Sequence, residues 1–121
     1  MSEQITNIIA GALDIFTRGP KGGKLKKARW NNWTIHDDSE DTYCSLGALQ
    51  ESARKQKIPV SYCRTAENLV ASCVPKSYEI TRGNMIPDWN DSLSANGGFA
   101  SVKRVFCKAL KKSMGMRTKR G

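Results

Sequence analysis

The spacing of apolar residues predicts helices over most of the chain. Between residues 3 and 17, apolar side chains recur at three- and four-residue intervals, which places them on one face of a helix. The Gly19-Pro20 pair then predicts the end of this helix. The stripe consists of Ile5, Ile8, Ile9, Ala12, Leu13 and Phe16.

The middle of the chain predicts two further helices with a short extended segment between them. Asp41 or Thr42 can cap a helix that ends near Gln56. Residues 58–64 alternate between apolar and polar side chains, a pattern that indicates a strand. A short helix is then predicted from Thr65 to the residue before Pro75.

The last predicted helix begins between Phe99 and Ser101. One face is apolar and most of the remaining surface is basic, which is typical of a helix packed on a core. We expect residues 114–121 to form a flexible basic tail. The apolar face consists of Val102, Val105, Phe106, Ala109 and Leu110.

These elements indicate one small, mainly α domain over residues 1–113, a bundle of about four helices with a basic loop at 18–29. The length of 121 residues agrees with a single domain. A minor β element is expected at 58–64 or at 78–81. The predicted core consists of Ile5, Ile9, Leu13, Trp33, Leu46, Leu49, Leu69, Val70, Trp89, Val102, Val105, Phe106 and Leu110.

The charge of the chain is strongly positive, with 20 Lys and Arg against 11 Asp and Glu, a net charge of +9. A pI near 9.7 favours a polyanionic partner, either nucleic acid or an acidic protein surface. The cations cluster in two blocks, and no acidic residue follows Asp91. The candidate binding residues are Arg18, Lys21, Lys24, Lys26, Lys27 and Arg29 in the first block, and Lys103, Arg104, Lys108, Lys111 and Lys112 in the second.

Two features beside the first basic block have alternative interpretations. The Gly- and Lys-rich segment 21–27 could become ordered on an anion, but its spacing is not that of a P-loop, and a solvated loop is favoured. Trp30 and Trp33 could stack on bases. Large aromatic side chains are more often core anchors, which is the favoured interpretation.

A turn at Trp89-Asn90-Asp91 precedes the last helix. Three closely spaced oxygen-bearing residues could suggest a cation site, but the glycine and distal glutamate of a calcium loop are missing. We therefore interpret the turn as structural: Trp89 anchors it in the core, and Asn90 or Asp91 caps backbone amides. It would hold the last helix in place.

The sequence predicts neither a metal site nor a cofactor. Cys44, Cys63, Cys73 and Cys107 lack the paired spacing of zinc ligands. A thiol-dependent enzyme remains an alternative, with Cys44 as nucleophile, His36 as base, and Asn90 or Asp91 as the group that orients the base. A free cysteine is usually a packed apolar residue instead.

Three segments together resemble an uncharacterised family of small proteins from actinobacteria and their phages. The first is Tyr43-Cys44-Ser45-Leu46-Gly47-Ala48-Leu49, with its Cys-x-x-Gly-Ala helix, and the second is the Trp89-Asn90-Asp91 turn. A closing helix with Val102, Val105 and Ala109 completes the similarity, which covers about half of the chain. The resemblance implies a mainly helical fold and a phage origin, and no catalytic residues.

We expect a non-enzymatic binding protein, such as a phage accessory or host-takeover factor, that binds nucleic acid or a nucleoprotein complex through its cations. The alternative is an inhibitor that docks on a host protein, such as a defence or transcription component. No stretch approaches the roughly 20 apolar residues of a membrane span, and no secretory signal is expected at the N-terminus. The expected location is therefore the cytoplasm, the host's if the protein is phage-encoded.

Overall fold

The computed structural model of the protein describes residues 3–18, 29–31, 36–37, 42–74, 86, 89–90, 93 and 98–118, with side chains up to residue 115 in the last range. Within these ranges the fold is mainly α-helical, as predicted. The helices are α1 (Glu3–Thr17), α2 (Ser45–Lys55), α3 (Val60–Ser72) and α4 (Gly98–Thr118). A minor antiparallel sheet pairs β1 (His36–Asp37) with β2 (Thr42–Tyr43), with His36 opposite Tyr43.

Helix α1 contacts all three other helices and supplies much of the core. Its apolar stripe is buried except for Leu13, which is partly buried, and Ile8, Ile9 and Phe16 are inaccessible to solvent. Phe16 packs edge-on against two aromatic rings of α4, Phe99 at 5.3 Å and Phe106 at 5.7 Å between ring centroids. Such edge-to-face pairs stabilise a core beyond the area that they bury.

Polar side chains also join the helices. On the α1–α2 side, the Ser52 hydroxyl donates to the Ile8 carbonyl oxygen at 2.8 Å, beside Gly11. On the α1–α4 side, the Thr6 and Ser113 hydroxyls are hydrogen-bonded at 2.9 Å, and Ser113 also bonds to the Leu110 carbonyl oxygen at 2.7 Å. Because these hydroxyls are buried, each bond satisfies a group that water does not reach.

The predicted start of the second helix is wrong by a few residues. Thr42 and Tyr43 pair with β1 instead of opening the helix, and Cys44 is the N-cap of α2. The Gly47 amide donates to the Cys44 sulfur at 3.4 Å, so the thiol replaces the oxygen that usually caps a helix.

The predicted strand at 58–64 is also wrong, because α3 begins at Val60 with Pro59 as its N-cap. The alternation of apolar residues does not mark a buried face, since Val60 is 69% exposed. The buried positions of this segment are Cys63, Ala66 and Leu69–Val70, a helical spacing. The alternative β segment at 78–81 lies outside the described residues.

Most of the predicted core is buried. Leu13, Leu46 and Leu110 are only partly buried, although they pack against the core. Trp33 lies outside the described residues, whereas Trp30 is buried. Helix α4 begins at Gly98 and continues to Thr118, into the segment predicted as a tail.

Candidate functional site

The exposed side of α4 carries the second basic block. Successive residues of an α-helix are about 100° apart, which spreads these five cations over about half of the helix circumference. They extend over about 14 Å of the helix axis. We call this surface the α4 basic face; it consists of the exposed residues Lys103, Arg104, Lys108, Lys111 and Lys112.

No carboxylate of the described residues pairs with the α4 basic face. Helix α4 contains neither Asp nor Glu along its whole length. Arg104 donates to the Ser101 hydroxyl at 3.2 Å, a contact with a neutral group. By contrast, the Arg18 guanidinium is 2.6 Å from the Asp14 carboxylate. The five charges therefore act together and repel one another, which favours an external polyanion.

The opposite side of α4 is fixed in the core. Val102, Phe106 and Ala109 are inaccessible to solvent, and Ser113 is tied to α1 through Thr6. The helix therefore presents its cations from a rigid backbone.

The first basic block is described only at its two ends. Arg18 is exposed and paired with Asp14. Arg29 is half-buried, with its guanidinium 5.6 Å from the centre of the Tyr43 ring. Cations held in this way serve the fold, since a guanidinium over an aromatic ring is attracted to it. The remaining members, Lys21, Lys24, Lys26 and Lys27, lie outside the described residues.

A small pocket opens beside the α4 basic face, with a volume of about 180 Å³. Trp89, Leu93 and Val105 are buried and form its apolar interior, to which the end of α3 adds Cys73. The exposed residues at its rim are Arg104 and Lys108, with the half-buried Ser101 nearby. No sequence motif predicts this pocket; the local signal is the placement of Ser101, Arg104, Val105 and Lys108 at three- and four-residue intervals.

Asn90 is buried, with hydrogen bonds to both its side-chain oxygen and its amide nitrogen, and Trp89 beside it is buried too. The Asn90 side-chain oxygen accepts from the Trp30 indole at 2.7 Å, the Ser45 amide at 2.9 Å and the Ser45 hydroxyl at 2.6 Å. Its amide nitrogen donates to the Asn31 carbonyl oxygen at 3.0 Å.

Trp89 and Asn90, predicted as part of a turn, are helical in the structure. The bonds of Asn90 cap the first amide of α2 and tie this segment directly to α2 and to residues 29–31. Trp30, whose ring packs on Gly98, links Asn90 to the start of α4, and Trp89 lines a pocket together with Val105 of α4. Asp91 lies outside the described residues.

Of the residues of the thiol-enzyme alternative, the three that the structure describes are engaged in structural contacts. Cys44 is buried and caps α2, and the Asn90 amide is used by Trp30, Ser45 and Asn31. The His36 ring stacks on Tyr43 with centroids 4.2 Å apart.

Within the described ranges, no three His, Cys, Asp or Glu residues cluster closely enough to hold a metal ion. The described helices also include none with the length and apolar character needed to cross a bilayer.

Comparison with protein-family models, with curated proteins and with solved structures finds no match to this chain. The resemblance to small proteins of actinobacteria and their phages stays a prediction, and the interpretation of the site depends on its geometry and charge.

Proposed function

We propose that the protein binds nucleic acid through the α4 basic face, without catalysing a reaction. The observation that carries this proposal is a set of five exposed cations on a helix with no acidic residue, none of them paired with a carboxylate in the part of the chain that the structure describes. Lysine and arginine side chains of this kind contact phosphates and neutralise them, which releases condensed counterions. Contacts to phosphates position a protein on nucleic acid and do not read its sequence.

A role as a phage accessory or host-takeover factor, acting in the cytoplasm of the host, belongs to the same proposal. It is supported by the family resemblance and by the net charge of +9. An inhibitor that docks on a host protein is the outcome expected if the partner of the α4 basic face is an acidic protein.

The test is the salt dependence of binding to a labelled oligonucleotide, followed by fluorescence anisotropy. If all five cations contact phosphates, the logarithm of the binding constant falls with the logarithm of salt concentration with a slope of roughly −3.5 on a single strand. Replacing all five by Gln abolishes binding at physiological salt. Binding that is unchanged between about 50 and 200 mM salt would overturn the proposal.

A matched control distinguishes the contribution of the α4 basic face to binding from the contribution of net charge. Replacing Lys103, Arg104 and Lys111 by Gln removes three charges from the face. Replacing Lys55, Lys57 and Arg64 by Gln removes the same residue types from exposed positions on α2, α3 and their connection. We expect the first set to weaken binding by at least tenfold more than the second.

Equal losses in the two sets would mean that net charge alone drives association. A host protein that stays bound to the purified protein after nuclease treatment, with no affinity for oligonucleotides, would favour the inhibitor instead.

A further inference from the structure

From the pocket beside the α4 basic face, we infer that the preferred ligand is a single-stranded nucleic acid, one base of which inserts into the pocket. This inference rests on the proposed function and adds the class of nucleic acid. It is carried by two observations: the pocket is apolar inside, and its rim carries two of the five cations.

The chemistry of the pocket fits a nucleotide better than a purely apolar or purely anionic ligand. Leu93 and Val105, which are 8% and 6% exposed, offer apolar surface to a planar ring, and Trp89, 1% exposed, completes the apolar wall. Arg104 and Lys108 stand one helical turn apart at the rim, about 6 Å along the axis, where they can contact the phosphates on either side of an inserted base. A ring joined to phosphates satisfies both parts of the site at once.

The volume of the pocket limits the number of bases. Apolar cavities of about 150 Å³ take up a single benzene-sized ring. A pocket of about 180 Å³ therefore admits one ring system, and the neighbouring nucleotides remain outside on the α4 basic face.

Bases in a duplex are paired and stacked, so one of them can enter a pocket only after unpairing and unstacking, which costs a few kcal/mol. A base in a single strand, or a bulged base in a duplex, is already unpaired and has only its stacking to lose, so the cost is smaller. The site consequently favours unpaired over paired nucleic acid at an equal number of phosphates.

The first experiment uses the unaltered protein and oligonucleotides of equal phosphate number. The probes are single-stranded DNA, single-stranded RNA, a fully paired duplex, a duplex with one bulged base, and a single strand made of abasic sites. We expect the single strand to bind about tenfold tighter than either the paired duplex or the abasic strand, and the bulged duplex to lie between them. The DNA and RNA probes show which sugar the site accepts.

A pair of variants at Ser101 tests the pocket without replacing a cation, and both variants remove the hydroxyl that accepts from Arg104. Ser101→Leu fills the pocket from its rim, whereas Ser101→Ala removes the same hydroxyl and leaves the pocket open. We expect single-strand affinity to fall about tenfold in Ser101→Leu and less than about twofold in Ser101→Ala, with duplex affinity unchanged in both.

Equal affinity of the unaltered protein for single strand, duplex and abasic strand, with a steep salt dependence, would overturn the inference and leave the proposed function standing. So would single-strand binding that is insensitive to Ser101→Leu in a folded variant. Absence of binding to every probe would overturn both.

Discussion

The Asn90 side-chain oxygen accepts a hydrogen bond from the Trp30 indole at 2.7 Å, although the two residues are sixty positions apart. The same oxygen accepts two bonds from Ser45 at the start of α2. Asn90 and Ser45 are inaccessible to solvent, so water cannot replace any of these partners. One amide side chain therefore joins three segments of the chain.

Replacing Asn90 by Ala should lower the free energy of unfolding by about 3–5 kcal/mol. Each buried donor or acceptor left without a partner costs about 1–3 kcal/mol, and the substitution affects Trp30, Ser45 and Asn31 together. Guanidinium unfolding followed by far-UV circular dichroism measures the change.

Two further variants isolate the role of hydrogen bonding at this site. Asn90→Leu keeps the side-chain volume while removing every bond, and it should be about as destabilising as Asn90→Ala. Asn68→Ala, at an exposed position of α3, should change stability by less than about 0.5 kcal/mol. A stable Asn90→Leu variant would show that volume, and not hydrogen bonding, matters at this site.

Replacing Gly11 by Ala should destabilise the protein by about 1–2 kcal/mol, although alanine is the better helix former. A Cβ atom at Gly11 would overlap the Ser52 hydroxyl and would lie 2.6 Å from the Gln56 side-chain nitrogen. To make room, Ser52 must give up its bond to the Ile8 carbonyl oxygen. Thermal or guanidinium unfolding measures the loss.

Gly115 provides the opposite control, because a Cβ atom there would meet nothing within 4 Å. Gly115→Ala should stabilise the protein by up to about 1 kcal/mol. If both alanine variants were stabilising, α1 and α2 would not be in close contact at Gly11.

Replacing Lys57 by Gly should stabilise the protein by about 0.5–1 kcal/mol. Lys57 has a φ of 57°, the left-handed conformation that follows many helix ends and that favours glycine. Its amide bonds to the Arg54 carbonyl oxygen, and the Ile58 amide bonds to that of Ala53, so the backbone stays in this conformation whatever the side chain.

Lys55→Gly is the comparison for this variant, since Lys55 is the last residue of α2 and has no such conformation. It should destabilise the protein by up to about 1 kcal/mol. A loss of stability in Lys57→Gly would mean that the added freedom of the unfolded chain outweighs the relief of backbone strain.

Helix α1 and most of α4 could be predicted from the sequence, because long amphipathic stripes leave few alternatives. The start of α3 could not. Ile58, Val60 and Tyr62 alternate as in a strand, and only the packing of Cys63 and Ala66 against the core decides for a helix.

The α4 basic face could also be predicted from the sequence, since its five cations lie on a single predicted helix. The pocket could not be predicted, because its walls come from Cys73, Trp89, Leu93 and α4, whose proximity depends on the tertiary fold. The capping role of Asn90 followed from the preferences of asparagine, but its partners Trp30 and Ser45 did not.

Cys63 should resist alkylation in the folded protein. Burial, together with the Glu67 carboxylate that accepts the thiol proton in a hydrogen bond at 3.2 Å, raises the pKa of the Cys63 thiol to about 12. At pH 8 iodoacetamide should label the half-buried Cys107 first and leave Cys63 and the buried Cys44 unlabelled, as peptide mass spectrometry would show. Rapid labelling of Cys44 would instead support the thiol-enzyme alternative.

The same thiol makes the free energy of unfolding depend on pH in the alkaline range. Its folded pKa lies above its ordinary value of 9.0, so the unfolded chain loses this proton first as the pH rises. The contribution of the protonated thiol is complete below pH 9 and is lost between about 9 and 12, where the free energy of unfolding should fall. Cys63→Ala should flatten this decline, and Glu67→Gln should lower the pKa and speed alkylation of Cys63. A decline of the same steepness in Cys63→Ala would assign it to other groups.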